Sequence, residues 1–187
     1  AGIVNMLTGD FFSWYVDDAA WSDFAHGLSN LISRLRGVSF DITKKRPESV
    51  RDLFKGLYEV FVSRELRHAL GEIYTPDWLA EHALDQIGWL PSHDLLDPTC
   101  GTGTFILEAI KRRLVSAQDA GVSLTLDSIL SGLHGIDLNP LAVLGAKASI
   151  VVVLGSHLDP SRPVVLPVYL ADAINSADPT GDNFFEH

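Results

Sequence analysis

Residues 95–110, LLDPTCGTGTFILEAI, constrain the fold of this 187-residue chain more than any other stretch. Leu95 and Leu96 close a short apolar run, Asp97 leaves it, and a turn containing Gly101 and Gly103 opens directly into a helical pattern. A strand, a glycine turn and a helix in that order point unpaired N–H groups and the positive end of a helix dipole at the turn. Glycines there lack the Cβ that would stop a ligand approaching the backbone. The segment predicts a nucleotide-cofactor turn. In the dinucleotide-binding pattern GxGxxG a third glycine follows, but Ile106 holds that place here, so an NAD-dependent dehydrogenase is a distant reading.

Downstream the pattern alternates. Strands are expected at Asp94–Asp97, His134–Leu138 and Val164–Ala171, and helices at Thr102–Ala120, Leu126–Leu133 and Pro140–Gly155. Such alternation implies a parallel sheet with right-handed crossovers, hence an α/β fold with a partial Rossmann-like sheet. Ligands of these sheets sit at the carboxyl ends of the strands, where Asp97, Asp137 and Asp172 are all expected. Three acids would converge.

Upstream, residues 1–70 read as a helical N-terminal region and 71–187 as the sheet-bearing part. Apolar and aromatic residues crowd Phe11–Arg36, Gly37–Arg46 reads as a loop, and Pro47–Ala69 carries a wide apolar stripe. Thr75-Pro76-Asp77 is a strong helix start, with a hydroxyl to cap, a proline for the first turn and an acid for the dipole; that helix should stop near Gly88. The aromatic residues of the first 60 positions read as core rather than as a base-stacking platform.

The motifs, taken in order, carry a family resemblance. Asp97 followed by Cys100-Gly101-Thr102-Gly103 and Phe105 resembles motif I of the S-adenosylmethionine-dependent DNA adenine-N6 methyltransferases. Gly71-Glu72-Ile73-Tyr74-Thr75-Pro76 is similar to the element that precedes motif I in that family, Gly135-Ile136-Asp137-Leu138-Asn139-Pro140 to its acidic motif II, and Asp172 stands where motif III would place it. The resemblance covers about residues 64–173. It implies S-adenosyl-L-methionine as cofactor. By it, Asp97 with the Thr99, Cys100, Gly101 and Gly103 backbone holds the methionine end, and Asp137 accepts from both ribose hydroxyls. Leu138 packs on the adenine, Asp172 accepts from the adenine amino group beside Ala173, and Tyr74, Thr75 and Pro76 close over the methionine moiety.

Amino-methylating members of the family resemble one another in a later motif, (N/D)PP(Y/F), which holds the target amino group of a flipped base. No such string occurs in this chain; Asp182-Asn183-Phe184-Phe185 has the aromatic but no prolines. The expectation is therefore a cofactor-binding portion truncated before that motif, belonging to a restriction-modification or phage-defence methyltransferase. Later catalytic strands and target recognition would lie beyond His187, and this portion alone would be inactive. Two other classes stay open: a non-catalytic cofactor-binding or assembly module, and a methyltransferase acting on protein glutamine, cytosine N4 or RNA.

Composition sets limits on partners. The net charge is −10 with a pI near 5.0, whereas a domain that grips DNA by itself shows a basic footprint. Short basic groups in ITKKRPESVR and SRELRH read equally as solvated helix ends. DNA is thus expected as a partner through regions outside the chain, with a specificity or nuclease subunit or domain, and an exposed sheet edge would favour self-association. The single cysteine, Cys100, reads as a small buried group and fits a reducing, cytoplasmic setting. His68 and His134 have no metal-ligand partners at useful spacing. The longest apolar stretch, Leu141–Gly155, contains Lys147 and falls short of the roughly 20 residues that span a bilayer, so no membrane partner is expected.

Overall fold

The computed structural model describes residues 2–6, 25–27, 29–30, 33–34, 74–159 and 161–174. The expected stripe over Pro47–Ala69, the loop before it, both basic groups, His68 and Gly71–Ile73 lie outside the described residues. Of the Phe11–Arg36 segment, only 25–27, 29–30 and 33–34 are described, and these are helical.

In chain order the described elements are helix α1 (Asp77–Gln86), strand β1 (Leu95–Asp97), helix α2 (Thr104–Asp119), helix α3 (Leu126–Leu130), strand β2 (Leu133–Asp137), helix α4 (Pro140–Leu154), a 3₁₀ turn (Gly155–His157) and strand β3 (Val168–Leu170). The strands form a parallel sheet in the order β1-β2-β3, with Leu95 opposite Leu133 and Gly135 opposite Val168. This is the expected α/β, Rossmann-like arrangement.

Because α2 and α4 both connect parallel neighbours in a sheet wound in one direction, they pack side by side against β2. Their inner faces supply Ile106, Ile110, Ala146 and Ile150, all fully buried against Leu133 and Val168. Each such branched side chain contributes about 1.5–3 kcal/mol relative to exposure. α4 is apolar nearly all round, as suits a helix enclosed on several sides. Asn139 starts it by accepting from the Leu141 and Ala142 amides at 2.9 and 3.4 Å, ahead of Pro140 in the first turn.

The larger departures from the expected boundaries have local reasons. α2 begins at Thr104 rather than Thr102, because Gly103, at φ 87°, holds a left-handed conformation that no helix continues. α3 stops at Leu130, ahead of Gly132 at φ 68°. The stretch Val164–Ala171 is not one strand: only Val168–Leu170 pairs with β2, while Val164 bridges Ile3 in parallel. Pro167, which has no N–H to donate, lies between the two halves.

The near-N-terminal segment continues alongside residues 164–166 through a side chain. Asn5 Nδ2 donates to Leu166 O at 2.8 Å, and Leu166 N donates to Asn5 Oδ1 at 2.8 Å. At the amino ends of the strands, Arg113 donates to the carbonyls of Pro91, Ile129, Ser131 and His93 at 2.6–2.9 Å, tying the approach to β1 to the approach to β2. No helix among the described residues is long and apolar enough to cross a membrane.

Candidate cofactor-binding site

The site forms where the turn after β1 crosses to the carboxyl end of β2. Cys100 N donates to Ile136 O at 2.8 Å, and Gly101 N donates to the Asp137 carboxylate at 2.7 Å. These two bonds lay the turn over the end of the neighbouring strand. Gly135 makes the contact close: a Cβ there would stand 3.0 Å from Cys100 Sγ and 3.3 Å from the Ile106 side chain.

Both turn glycines face protein in the direction a side chain would take. At Gly101, φ 54°, a Cβ would meet the Tyr74 ring at 3.1 Å; at Gly103, a Cβ would meet the Ala146 Cβ at 3.0 Å. Both glycines therefore also serve packing within the protein. Gly101 lets Tyr74 lie on the turn, and Gly103 lets α2 start close against α4. The N-cap position of α1 falls on Pro76, and the Thr75 carbonyl accepts from Thr104 Oγ1 at 3.5 Å. The Tyr-Thr-Pro element is thereby joined to the turn at two points.

The acids are staggered across the sheet. Asp97 stands level with Gly135, two residues before Asp137, and Asp137 stands level with Leu170, two residues before Asp172. By the same register Asp97 and Asp137 share the face that carries Gly135 and Leu170. Asp97 Oδ1 accepts from Thr99 N at 3.2 Å, Asp137 Oδ1 from Asn139 N at 2.8 Å, and the Asp137 carbonyl from Ala171 N at 3.0 Å. Asp172 Oδ1 accepts from Ile174 N at 2.9 Å within its own turn.

Burial raises the Asp97 carboxyl above its ordinary pKa of 3.8, the Thr99 amide opposes the rise, and the charge of Asp137 adds to it. Among the described residues neither acid has an ion-pair partner. Two carboxylates with no ion-pair partner among the described residues, beside a glycine turn, suit a ligand carrying a cation and hydrogen-bonding groups. Burial, reinforced by Asp97 and Asp137, pushes the Cys100 thiol far above its ordinary range, so it is a packed apolar group rather than a nucleophile.

The structure therefore brings Tyr74, Thr75, Asp97, Thr99, Cys100, Gly101, Gly103 and Asp137 together around one turn. Leu138 and Ala173 are exposed beside Asp137 and Asp172, Pro76 is exposed at the start of α1, and Asp172 follows Ala171, whose N–H donates to the Asp137 carbonyl. Sequence reasoning gave no role to Gly135 or Ala146, whose smallness is meaningful only once the turn is seen to pack on them. His134 stacks on Tyr169 with ring centroids 6.2 Å apart, in keeping with a structural role. No cluster suited to a metal occurs among the described residues.

No protein-family model matches the chain. Over 155 residues it is 30% identical to the adenine-specific methyltransferase PglX of Streptomyces coelicolor, a match spanning 72% of this chain and 12% of that protein. It is 27% identical over 130 residues to the type I restriction enzyme MjaIX methylase subunit of Methanocaldococcus jannaschii, spanning 68% of this chain and 21% of that subunit. A shorter match, 48% identical over 46 residues, joins it to the putative RNA methyltransferase slr0064 of Synechocystis, covering 25% of this chain and 12% of that protein. The chain thus spans about an eighth to a fifth of the length of these relatives.

Proposed function

From homology to an adenine-specific methyltransferase and to a type I restriction enzyme methylase subunit, we propose that this chain is the S-adenosylmethionine-binding portion of a DNA adenine-N6 methyltransferase of a restriction-modification or phage-defence system. The observation that carries the reading is the bond from Gly101 N to Asp137, which ties the glycine turn that follows the acid ending β1 to the acid ending β2, with the Tyr74 ring against Gly101. S-adenosylmethionine supplies a methyl group on a sulfonium, together with an ammonium, two ribose hydroxyls and an adenine.

The chain's own groups match those demands. Asp97 and the start of α2 present a carboxylate and backbone donors to the amino-acid end, the first for the ammonium and the second for the carboxylate. Among the described residues each Asp137 oxygen accepts one backbone bond, which leaves lone pairs for ribose hydroxyls. Exposed Leu138 offers an apolar surface to the adenine, and Asp172 with Ala173 lies at the next strand end for its amino group.

DNA would be engaged through regions other than this acidic chain, alongside specificity or nuclease subunits or domains, in the cytoplasm. Transfer of labelled methyl groups to mixed-sequence duplex DNA, with RNA in parallel, tests the reading. The expected result is no product from this chain alone and labelled DNA from a polypeptide extended to include an (N/D)PP(Y/F) string. Labelled product from the chain alone would place the catalytic groups within it, and labelled RNA in place of DNA would move the assignment to the class of the Synechocystis relative.

A further inference from the structure

Asp137 is held on both of its oxygens before any ligand arrives. Oδ2 accepts from Gly101 N at 2.7 Å across 36 residues, and Oδ1 accepts from Asn139 N at 2.8 Å. On its other side Gly101 lies under the Tyr74 ring, with a left-handed φ of 54° and only 3.1 Å between its missing Cβ and the ring edge. Gly101 is thus pinned from two directions. One contact comes from the strand end expected to take the ribose, the other from the element expected to cover the methionine end.

We propose that Asp137 is a positioning residue for the whole turn: its carboxylate fixes Gly101, Gly101 seats Tyr74, and the two halves of the cofactor site are thereby coupled through one backbone amide. This deepens the cofactor reading and, for its second half, rests on it. Asp137 would then matter to ligand groups it never touches. Loss of the carboxylate frees the Gly101 amide, lets a left-handed glycine relax to other conformations, and removes the floor on which Tyr74 lies. The bond from Cys100 N to Ile136 O and the bond from Leu95 N to Gly132 O do not involve the carboxylate and stay in place.

The first test needs no ligand. Amide hydrogen exchange is measured at Gly101, Cys100, Asn139 and Leu95 in the wild-type chain, in Asp137→Ala and in Asp137→Asn. A charge-assisted bond to a backbone amide corresponds to protection of about tenfold or more, so Gly101 should exchange at least about tenfold faster in Asp137→Ala while Cys100 and Leu95 keep their rates. If Asp137→Ala loosens all four sites, Asp137→Asn decides. Its single oxygen cannot serve two amides at full strength, so Gly101 or Asn139 must accelerate while the controls do not. Unchanged exchange at both amides in Asp137→Asn, or at Gly101 in a folded Asp137→Ala, overturns the proposal.

A second test separates positioning from ribose contact. Binding of S-adenosylhomocysteine and of its 2′,3′-dideoxy analogue is compared in wild type and Asp137→Asn. Coupling through Gly101 predicts that the substitution weakens the dideoxy analogue several-fold, although that ligand has no hydroxyls for Asp137 to hold. Equal affinity of both proteins for the analogue would reduce Asp137 to a ribose contact. Failure of both proteins to bind either ligand would count against the cofactor reading, whereas the exchange data decide the Gly101 latch independently.

Discussion

Lys147 Nζ donates to the backbone carbonyl of Asn5 at 2.5 Å, joining the middle of the apolar helix α4 to a segment 142 residues earlier. The side chain is fully buried, and Asn5 in turn holds Leu166 by two side-chain bonds. A buried ammonium therefore secures the segment that lies beside the entry to β3.

That ammonium should give the protein an alkaline stability signature. Burial pushes the Lys147 pKa down from 10.5 to about 8. Between those values the unfolded chain binds more protons than the folded one, so the contribution of this group to stability rises with pH. From pH 8 to 9 the rise is about 1 kcal/mol. Above pH 9 the raised pKa values of Cys100 and Tyr169 act in the opposite sense, because their unfolded forms lose protons first. Urea unfolding at pH 7, 8 and 9 should show that rise in wild type relative to Lys147→Met, and parallel pH profiles for the two proteins would contradict it.

The packing of Gly103 on Ala146 predicts an asymmetric cost at the two turn glycines. Gly103→Ala combines a left-handed φ with a methyl 3.0 Å from a backbone-anchored Cβ, whereas the atom met at Gly101 belongs to a tyrosine ring that can swing. Gly103→Ala should cost roughly 1–3 kcal/mol, more than Gly101→Ala, and Ala146→Gly should recover the steric part but not the backbone strain. Denaturation midpoints of the single and double variants measure this. A Gly101→Ala cost equal to or above that of Gly103→Ala would show that the helix contact is not the tighter constraint.

Asp97 should trade stability for binding. Its folded-state pKa lies above the unfolded value of 3.8, so at neutral pH its charge is a cost in the ligand-free fold, and stability falls as pH rises from 3.8 through the folded pKa. Asp97→Asn keeps an oxygen for the Thr99 amide and removes the charge beside Asp137. The expected outcome is a higher melting temperature at pH 7 together with weaker S-adenosylmethionine binding. A variant that melts lower and binds equally well would reverse both halves of the account.

The architecture was legible because punctuation and periodicity agreed along residues 75–155. Pro140 after Asn139 marks the start of α4, and the glycines at 88, 101, 103 and 132 stand at the stops and turns. The acids and the turn were legible as a set through their order. What escaped were relations between distant residues. Nothing local in Val164–Leu166 announces that its partner is the segment around Ile3, and a lysine inside an apolar helix does not reveal that it reaches the Asn5 carbonyl. Sequence supplies residue type but not the path of the chain, which places Pro76 at the cap position of α1.

Asp137 and Asp172 should differ in weight. Asp137 bonds to the turn and to the loop after it, while Asp172 bonds to Ile174 only two residues away. Asp137→Ala should weaken S-adenosylmethionine binding about tenfold or more, and more than Asp172→Ala, since it removes charge-assisted acceptors from both the turn and the ribose. Equal affinity of wild type and Asp137→Ala in fluorescence or calorimetric titration would refute the role assigned to this acid.

The central claim is that the turn beneath Tyr74, between Asp97 and Asp137, is a site for S-adenosylmethionine. Isothermal titration of the chain with S-adenosylmethionine, S-adenosylhomocysteine and NAD tests it most directly. The account predicts saturable binding of the two S-adenosyl ligands in preference to NAD, lost or weakened in Asp137→Ala. Tighter binding of NAD than of either S-adenosyl ligand would contradict it.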